Sequence, residues 1–291
     1  MAQIREIKKR MVAVRTIQRI TKTMQMIATA KFTASLQRAK ASRPYTEQIR
    51  TLATEVASAA GDVSHPLLAA REKPTGREVV LVIASDRGLC GAYNGNLLRS
   101  ALAHIRSRVA KGRTLAVEAS GKKAVAFFKF QKVELAERHA FGDKPSFETV
   151  AAVARRYMAD FAAGKIDSVH VAYMRFISNS RQVPEVMQLL PFAIPGGSAS
   201  AGGAAATMYD YSPGARELMD ELLPRCVEVS LFQAANDAVV SENVMRMVAM
   251  KAASDNAGGL GRTLKRNYNR ARQARITTEL TEIVSGAAAL E

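Results

Sequence analysis

Near the N-terminus, apolar residues fall at Ile4, Ile7, Met11, Val14, Ile17, Ile20, Met24 and Ile27. The steps are mostly three and four, which places these residues on one stripe of an α-helix. Arg5, Lys8, Lys9, Arg15, Arg19 and Lys22 fall mostly on its flanks. No glycine precedes Gly61, so the pattern predicts a helix from Ile4 to about residue 60. Pro44 is expected to bend or interrupt it before the stripe resumes at Ile49, Leu52 and Val56. At the other end, Ala215 to Leu290 reads as one helix: no proline follows Pro224, and Leu260, Leu264, Ile276, Leu280, Ile283, Ala287 and Leu290 return to one face. At about 1.5 Å per residue, a run of about 70 residues is a rod of roughly 105 Å, wider than an ordinary globular core. A narrow apolar stripe on such a rod needs a second helix along it, and the N-terminal helix is the candidate, running antiparallel.

Between the two helices the period changes. Gly61, Pro66, Pro74 and Gly76 mark a linker, after which short apolar runs predict strands at Val79 to Ala84, Leu115 to Ala119, Val133 to Ala136, Val169 to Ile177 and Val183 to Leu190. Helices are predicted at Leu97 to Val109, Lys122 to Phe130 and Phe147 to Ala163. Strands alternating with helices argue for a mostly parallel sheet, hence a Rossmann-like α/β domain inserted into a long antiparallel coiled coil. The domains read as 1–60 and 213–291 for the coiled-coil helices and 76–195 for the α/β domain, with a Gly/Ala/Ser-rich flexible loop over 196–212. Ser212 is a plausible N-cap for the last helix, with Pro213 at its first position.

The net charge of +16 sharpens this picture. Twelve Lys or Arg against two Glu lie in the first fifty residues, so much of the imbalance sits on one helix. Such a stripe suits nucleic acid, an anionic membrane surface or an acidic protein partner. Cys90 and Cys226 are far apart, without metal or disulfide spacing, and fit a reducing compartment. No apolar run approaches the roughly eighteen residues of a membrane span, and no signal-peptide core is present at the start.

Catalytic motifs are missing. Asp86-Arg87-Gly88-Leu89-Cys90-Gly91 is a glycine-bearing turn between strand and helix, where nucleotide folds place phosphates, but it is neither GxGxxG nor a P-loop. It reads as a tight structural turn, with Cys90 a structural thiol. His65, His104, His139 and His170 are scattered with no metal-ligand spacing. No nucleophile elbow and no carboxylate pair stands out. No cofactor is expected. Met24, Met26, Met245, Met247 and Met250 are expected mostly to fill the seam between the two long helices.

Three separated blocks resemble one family, in order along the chain: ITKTMQMIATAKF (Ile20 to Phe32), SDRGLCGAYN (Ser85 to Asn94) and SENVMRMVAMKAASDN (Ser241 to Asn256) followed by Asn269 to Ala287. The family is the gamma subunit of F-type ATP synthases. The resemblance implies a non-catalytic central-stalk rotor that couples ion flow through a membrane ring to conformational cycling of neighbouring catalytic sites. It implies the alpha and beta subunits, the epsilon subunit and the c-subunit ring as partners, with no nucleic acid and no direct membrane insertion. The location it implies is the cytoplasmic face of a bacterial plasma membrane. Lys22, Met24, Arg266, Gln273, Thr277 and Glu279 become contact and coupling residues by that resemblance, and Tyr209 and Tyr211 part of the rotor foot. Antiparallel helices would bring Lys22 and Met24 near Gln273 and Thr277 within a basic collar. The small residues of Ser285 to Ala289 would suit a bearing. Gly261 departs from the family's usual bulky apolar residue, and with Gly258 and Gly259 lowers helix propensity by about 1 kcal/mol per glycine. The alternative reading is a basic coiled-coil nucleic-acid binder, which would show steep salt dependence. A Rossmann-type enzyme fails on its missing motifs.

Overall fold

The computed structural model describes residues 2–59, 65–68, 74–193 and 214–288. Helix α1 is Ala2–Ala59. Strand β1 (Arg77–Ile83), helix α2 (Tyr93–Ala110), β2 (Thr114–Ser120), α3 (Lys122–Phe130), β3 (Leu135–His139), α4 (Phe147–Ala162), β4 (Ser168–Ser178) and β5 (Arg181–Leu190) follow, and α5 spans Ala215–Ala288. The expected flexible loop over 196–212, with Tyr209, Tyr211, Ser212 and Pro213, lies outside the described residues. Two compact units are distinguished: Lys31–Met245, and Met1–Ala30 with Arg246–Glu291.

The larger unit is built on a five-stranded sheet of order β3-β2-β1-β4-β5. β1 pairs in parallel with β2 and β4, and β2 with β3, while β5 closes the edge antiparallel to β4. The central strands are covered on both faces, which is why they read as continuous apolar runs. Val79, Leu81 and Ile83 pack with α4 and the first turns of α5, whereas Val80 and Val82 pack with α2 and α3. β5 carries Pro184, tolerated because the strand lies at an edge where a missing N–H costs no ladder bond. β3 starts two residues later than the apolar pattern suggests. Lys132 takes a left-handed φ of 56° and the Val133 N–H donates to Phe128 O, so Val133 closes α3 instead of opening a strand.

Neither long helix is interrupted by its proline, Pro44 in α1 or Pro224 in α5. Within the larger unit the two helices run antiparallel: the Ser42 hydroxyl donates to Gln233 Oε1 at 3.3 Å, and Cys226 Sγ approaches Ile49 O at 3.8 Å. Ile49, Ala53 and Val56 are buried in the same core as Leu223, Val227 and Leu231, and that packing holds the helix through Pro44.

In the smaller unit the buried stripe departs from the expected one. It begins at Ile4, Ile7, Met11 and Val14 but continues through Gln18, Thr21 and Ala28, leaving Ile17, Ile20 and Ile27 more than half exposed. The facing segment explains this. Ser254, Ala257 and Gly258 present little side chain, and a Cβ at Gly258 would stand 2.8 Å from Gln18 Nε2. Gly258 therefore makes the room that Gln18 occupies. Leu260, expected on the stripe, is exposed for the same reason: Gly258, Gly261, Leu264 and Tyr268 take the inward face.

Candidate functional site: the helix pair of the smaller unit

Register follows from which side chains meet. Lys22 shares a groove of about 610 Å³ with Ser254 and Asp255; Gln18 meets Gly258; and Val14 Cγ1 lies 4.0 Å from a Cβ built on Gly261. Met11 and Arg15 line a second groove with Arg262 and Lys265. Numbers rise on one helix as they fall on the other, so the pair is antiparallel.

That register corrects the expected collar. Lys22 and Met24 are level with Ser254, whereas Gln273 lies nearly twenty residues further along α5, roughly 28 Å at 1.5 Å per residue. The coupling residues named from the sequence therefore form two levels. At the first, Lys22 is exposed and its Nζ donates to Gln25 Oε1 at 3.4 Å, while Met24 is half-buried. At the second, Thr277 donates to Gln273 O at 3.1 Å and Arg275 Nε to Glu279 Oε1 at 2.6 Å. Arg266 lies between the two levels and is exposed. The last turns of α5 run past the start of α1, which leaves Ile276, Leu280, Ile283 and Val284 half to two-thirds exposed. Val12, Ile17, Ile20, Met26 and Ile27 form a comparable apolar surface on α1, each more than half exposed. This apolar surface is interleaved with Lys and Arg.

In the larger unit the Asp86–Gly91 turn is closed by its own side chains. The Ser85 hydroxyl donates to Arg87 O at 2.7 Å, Asn94 Nδ2 donates to Ser85 Oγ at 2.8 Å, and Asp86 Oδ1 accepts the Lys122 N–H at 3.0 Å. Leu89 and Gly91 both take left-handed backbone. The cavity beside the turn, lined in part by Asp86, Gly121 and Phe141, measures about 20 Å³, space for about one water and not for a phosphate. Cys90 is buried, with Asn94 Nδ2 3.2 Å from its sulfur, the environment of a structural thiol.

One network was not visible in the sequence. Glu118, buried in β2, accepts from His139 Nε2 at 2.6 Å, Arg156 Nη2 at 2.6 Å and the Tyr157 hydroxyl at 2.7 Å. Burial pushes its carboxyl up, but the hydrogen bonds from His139 and Tyr157 and the Arg156 charge outweigh it and hold the group below its ordinary value. The sequence signal was a carboxylate inside an apolar strand, in Leu115-Ala-Val-Glu-Ala119. Its partners come from β3 and α4, so spacing alone cannot reveal them. The network ties α4 to the sheet.

The chain belongs to the family described as ATP synthase, whose model matches residues 3–290. Within that family its relatives are gamma chains. It is 43% identical over 296 residues to the ATP synthase gamma chain of Rhodopirellula baltica and 40% identical over 292 residues to that of Mannheimia succiniciproducens, with 100% of both chains covered in each case. Its fold is similar to a chain in the OSCP/F1/c-ring structure of Euglena gracilis mitochondrial ATP synthase, with TM-score 0.68 at 20% identity, covering 99% of this chain and 95% of that one. It is also similar to a chain in the rotor structure of the same enzyme, with TM-score 0.65 at 18% identity, covering 94% and 99%. No described helix is long and apolar enough to cross a membrane.

Proposed function

We propose that this chain is the gamma subunit of an ion-translocating ATP synthase, the rotor of its central stalk, and that it performs no chemistry itself. The observation that carries the reading is identity above 40% to a gamma chain over the entire length of both proteins. Two structural features support it. The helix pair bears apolar and basic side chains outward along both helices, and in the sheet unit the Glu118 carboxylate is taken up by side chains of the same unit.

In this reading the helix pair lies within a ring of alternating alpha and beta subunits, and the other end of the rotor meets epsilon and the c-subunit ring. Rotation changes which apolar and basic residues each catalytic neighbour touches. A rotor shifts a neighbour's conformational equilibrium only by differential contact between states, so its asymmetry is the working feature. The two helices supply that asymmetry: one presents Ile17, Ile20 and Ile27, the other a stretch rich in arginine between Arg262 and Arg275. Lys22 and Met24 act at one level; Gln273, Thr277 and Glu279 at another; Arg266 between them. Tyr209 and Tyr211 belong to the foot. The complex works at the cytoplasmic face of a bacterial plasma membrane. Nothing in the relatives supports the alternative of a basic coiled-coil nucleic-acid binder.

The test is Met24→Lys in the assembled complex. The variant should still assemble with alpha, beta and epsilon, and should pump fewer protons per ATP hydrolysed, because a new ammonium at this level is held by an acidic loop of a catalytic neighbour. An unchanged ratio in an intact complex would count against the coupling role, and failure of the wild-type chain to co-purify with alpha and beta would remove the rotor reading altogether.

A further inference from the structure

Where α2 crosses β1 and β4, the apolar layer gives way to a group of polar side chains. Glu78 and Ser168 are register partners on neighbouring strands, as are Val80 and His170. Period-two alternation along β4 then puts Ser168 and His170 on the face that Ala172 and Met174 continue beneath α2. Glu78 is fully engaged: Arg108 Nε donates to one carboxylate oxygen at 2.6 Å and Arg108 Nη2 to the other, and Arg113 Nε stands 3.5 Å away. The remaining groups are not. His104 Nε2, His170 Nδ1 and Ser168 Oγ are buried, and none has a hydrogen-bond partner among the described residues. His170 is only 6% exposed. Native interiors leave few such atoms, and three in one cluster call for a ligand.

We propose that His104 and His170 form a binding site for a divalent transition-metal ion of the zinc class, with Ser168 Oγ available to the ion's bound water. Their ring centroids lie 4.8 Å apart at an interplanar angle of 51°. With metal–nitrogen distances of about 2.0–2.1 Å, two imidazoles sharing a tetrahedral ion have centroids on the order of 5 Å apart, so the spacing of the two rings suits a shared ion. Neither His104 Nε2 nor His170 Nδ1 is committed to another partner among the described residues, so both are open to an ion. Imidazole donors select zinc, copper or nickel over magnesium and calcium. Arg108 and Arg113 stand nearby but are drawn to Glu78, so their repulsion weakens the site without closing it.

A second candidate in the same sheet behaves differently. Glu118, Glu137 and His139 bring ligand atoms within 4.8 Å of one another, but the Arg156 guanidinium already pairs with both carboxylates. That cation's place is filled by the chain itself. The histidine pair has no such occupant. An ion there would tie α2 to β4, and its effect would be on the stability of the sheet unit, independent of the rotor role.

The experiment uses the full-length chain stripped with chelator, then titrated with zinc chloride in competition with a chromophoric chelator, and separately with cobalt chloride followed by visible absorption. One zinc per chain and a cobalt spectrum with nitrogen ligation are expected, with a raised melting temperature on zinc addition. His104→Gln, at a half-exposed position that tolerates the change, should weaken binding by at least about tenfold. His170→Gln, checked for folding by circular dichroism, should do the same, and His65→Gln should leave binding unchanged. No uptake by the wild-type chain, or equal affinity in His104→Gln, overturns the site.

Discussion

The two units use the same residue types to opposite ends, and their glycines show it. In the sheet unit Gly121 has φ +95°, and a Cβ there would meet Ala84 O at 2.2 Å, so a backbone crossing depends on its having no side chain. In the helix pair Gly259 has only the tip of Arg262 within reach, at 3.9 Å, and sits in ordinary helix. The sheet unit buries many of its large side chains completely, among them Leu81, Leu97, Phe128 and Tyr157, although Phe130 and Leu89 stay exposed. The helix pair buries Thr21, Ser254 and Ala257, with Met250 as its one fully buried large side chain among the described residues, and turns Ile17, Ile20 and Ile27 outward. A unit that packs large residues inward is specified by its own core; one that packs small residues inward and large ones outward is specified for neighbours. The difference teaches where stability is made and where it is spent on contact.

The largest expected effect breaks the sheet unit at its tightest crossing. Gly121→Ala should destabilise it by about 4 kcal/mol or more, because left-handed strain and a clash with backbone act together. Urea unfolding of the full chain checks this. A loss under about 1 kcal/mol would mean the crossing can relax.

The next effect concerns pH and two buried groups of the sheet unit whose slopes oppose. Burial pushes the Asp237 carboxyl up to about 6, against its hydrogen bond from Gln233 and the nearby charges of Arg43 and Arg175. A carboxyl raised in the folded state takes up a proton on folding, so its stabilisation is present below its ordinary value of 3.8 and lost as pH rises through 6. His170 is lowered to about 4, so its contribution is present above 6.5 and lost as pH falls through 4. Between pH 4 and 6 the two nearly cancel. Asp237→Asn removes one slope, and stability should then fall by about 3 kcal/mol more than in the wild type on acidification across that window. Urea midpoints measured at closely spaced pH values read this directly; parallel curves for the two proteins would show that Asp237 does not titrate there.

The smallest effect lies in the helix pair and has the opposite sign. Gly259→Ala should stabilise the helix by about 0.5–1 kcal/mol, since alanine is the better helix former and nothing blocks its methyl group. Gly258→Ala should gain less, because its methyl group must displace Gln18 Nε2. Amide exchange across Ser254 to Leu264 distinguishes them. Equal gains would mean that Gln18 does not sit over Gly258.

How legible each unit was in the sequence follows from the same contrast. The sheet strands stood out because strands buried on both faces must be apolar throughout, and the mostly parallel pairing followed from their alternation with helices, although the strand order did not. The start of α2 at Tyr93, one turn before the expected Leu97, was obscured by Gly95. In the helix pair the existence and direction of both helices were legible, but the seam was not. Gln18 and Thr21 are polar, and a search for apolar periodicity passed over them to Ile17 and Ile20. The register depends on which small residue on α5 faces which side chain on α1, and that complementarity leaves no periodic trace. The supposed proximity of Lys22 to Gln273 failed for this reason. The Glu118 network draws on three elements and the histidine pair on two, and both were unreadable for a different reason: their meaning exists only once the sheet has formed.

The antiparallel register of α1 against α5 in the smaller unit is the claim on which the two proposed coupling levels rest, and one crosslink tests it most directly. In a chain with Cys90 and Cys226 replaced, Val14→Cys and Gly261→Cys should form a disulfide under mild oxidation, since the 4.0 Å approach of Val14 Cγ1 to the Gly261 Cβ position suits the bond's reach. Lys22→Cys with Gln273→Cys should not. Efficient crosslinking of the second pair and none of the first would contradict the register and return the two coupling levels to a single collar.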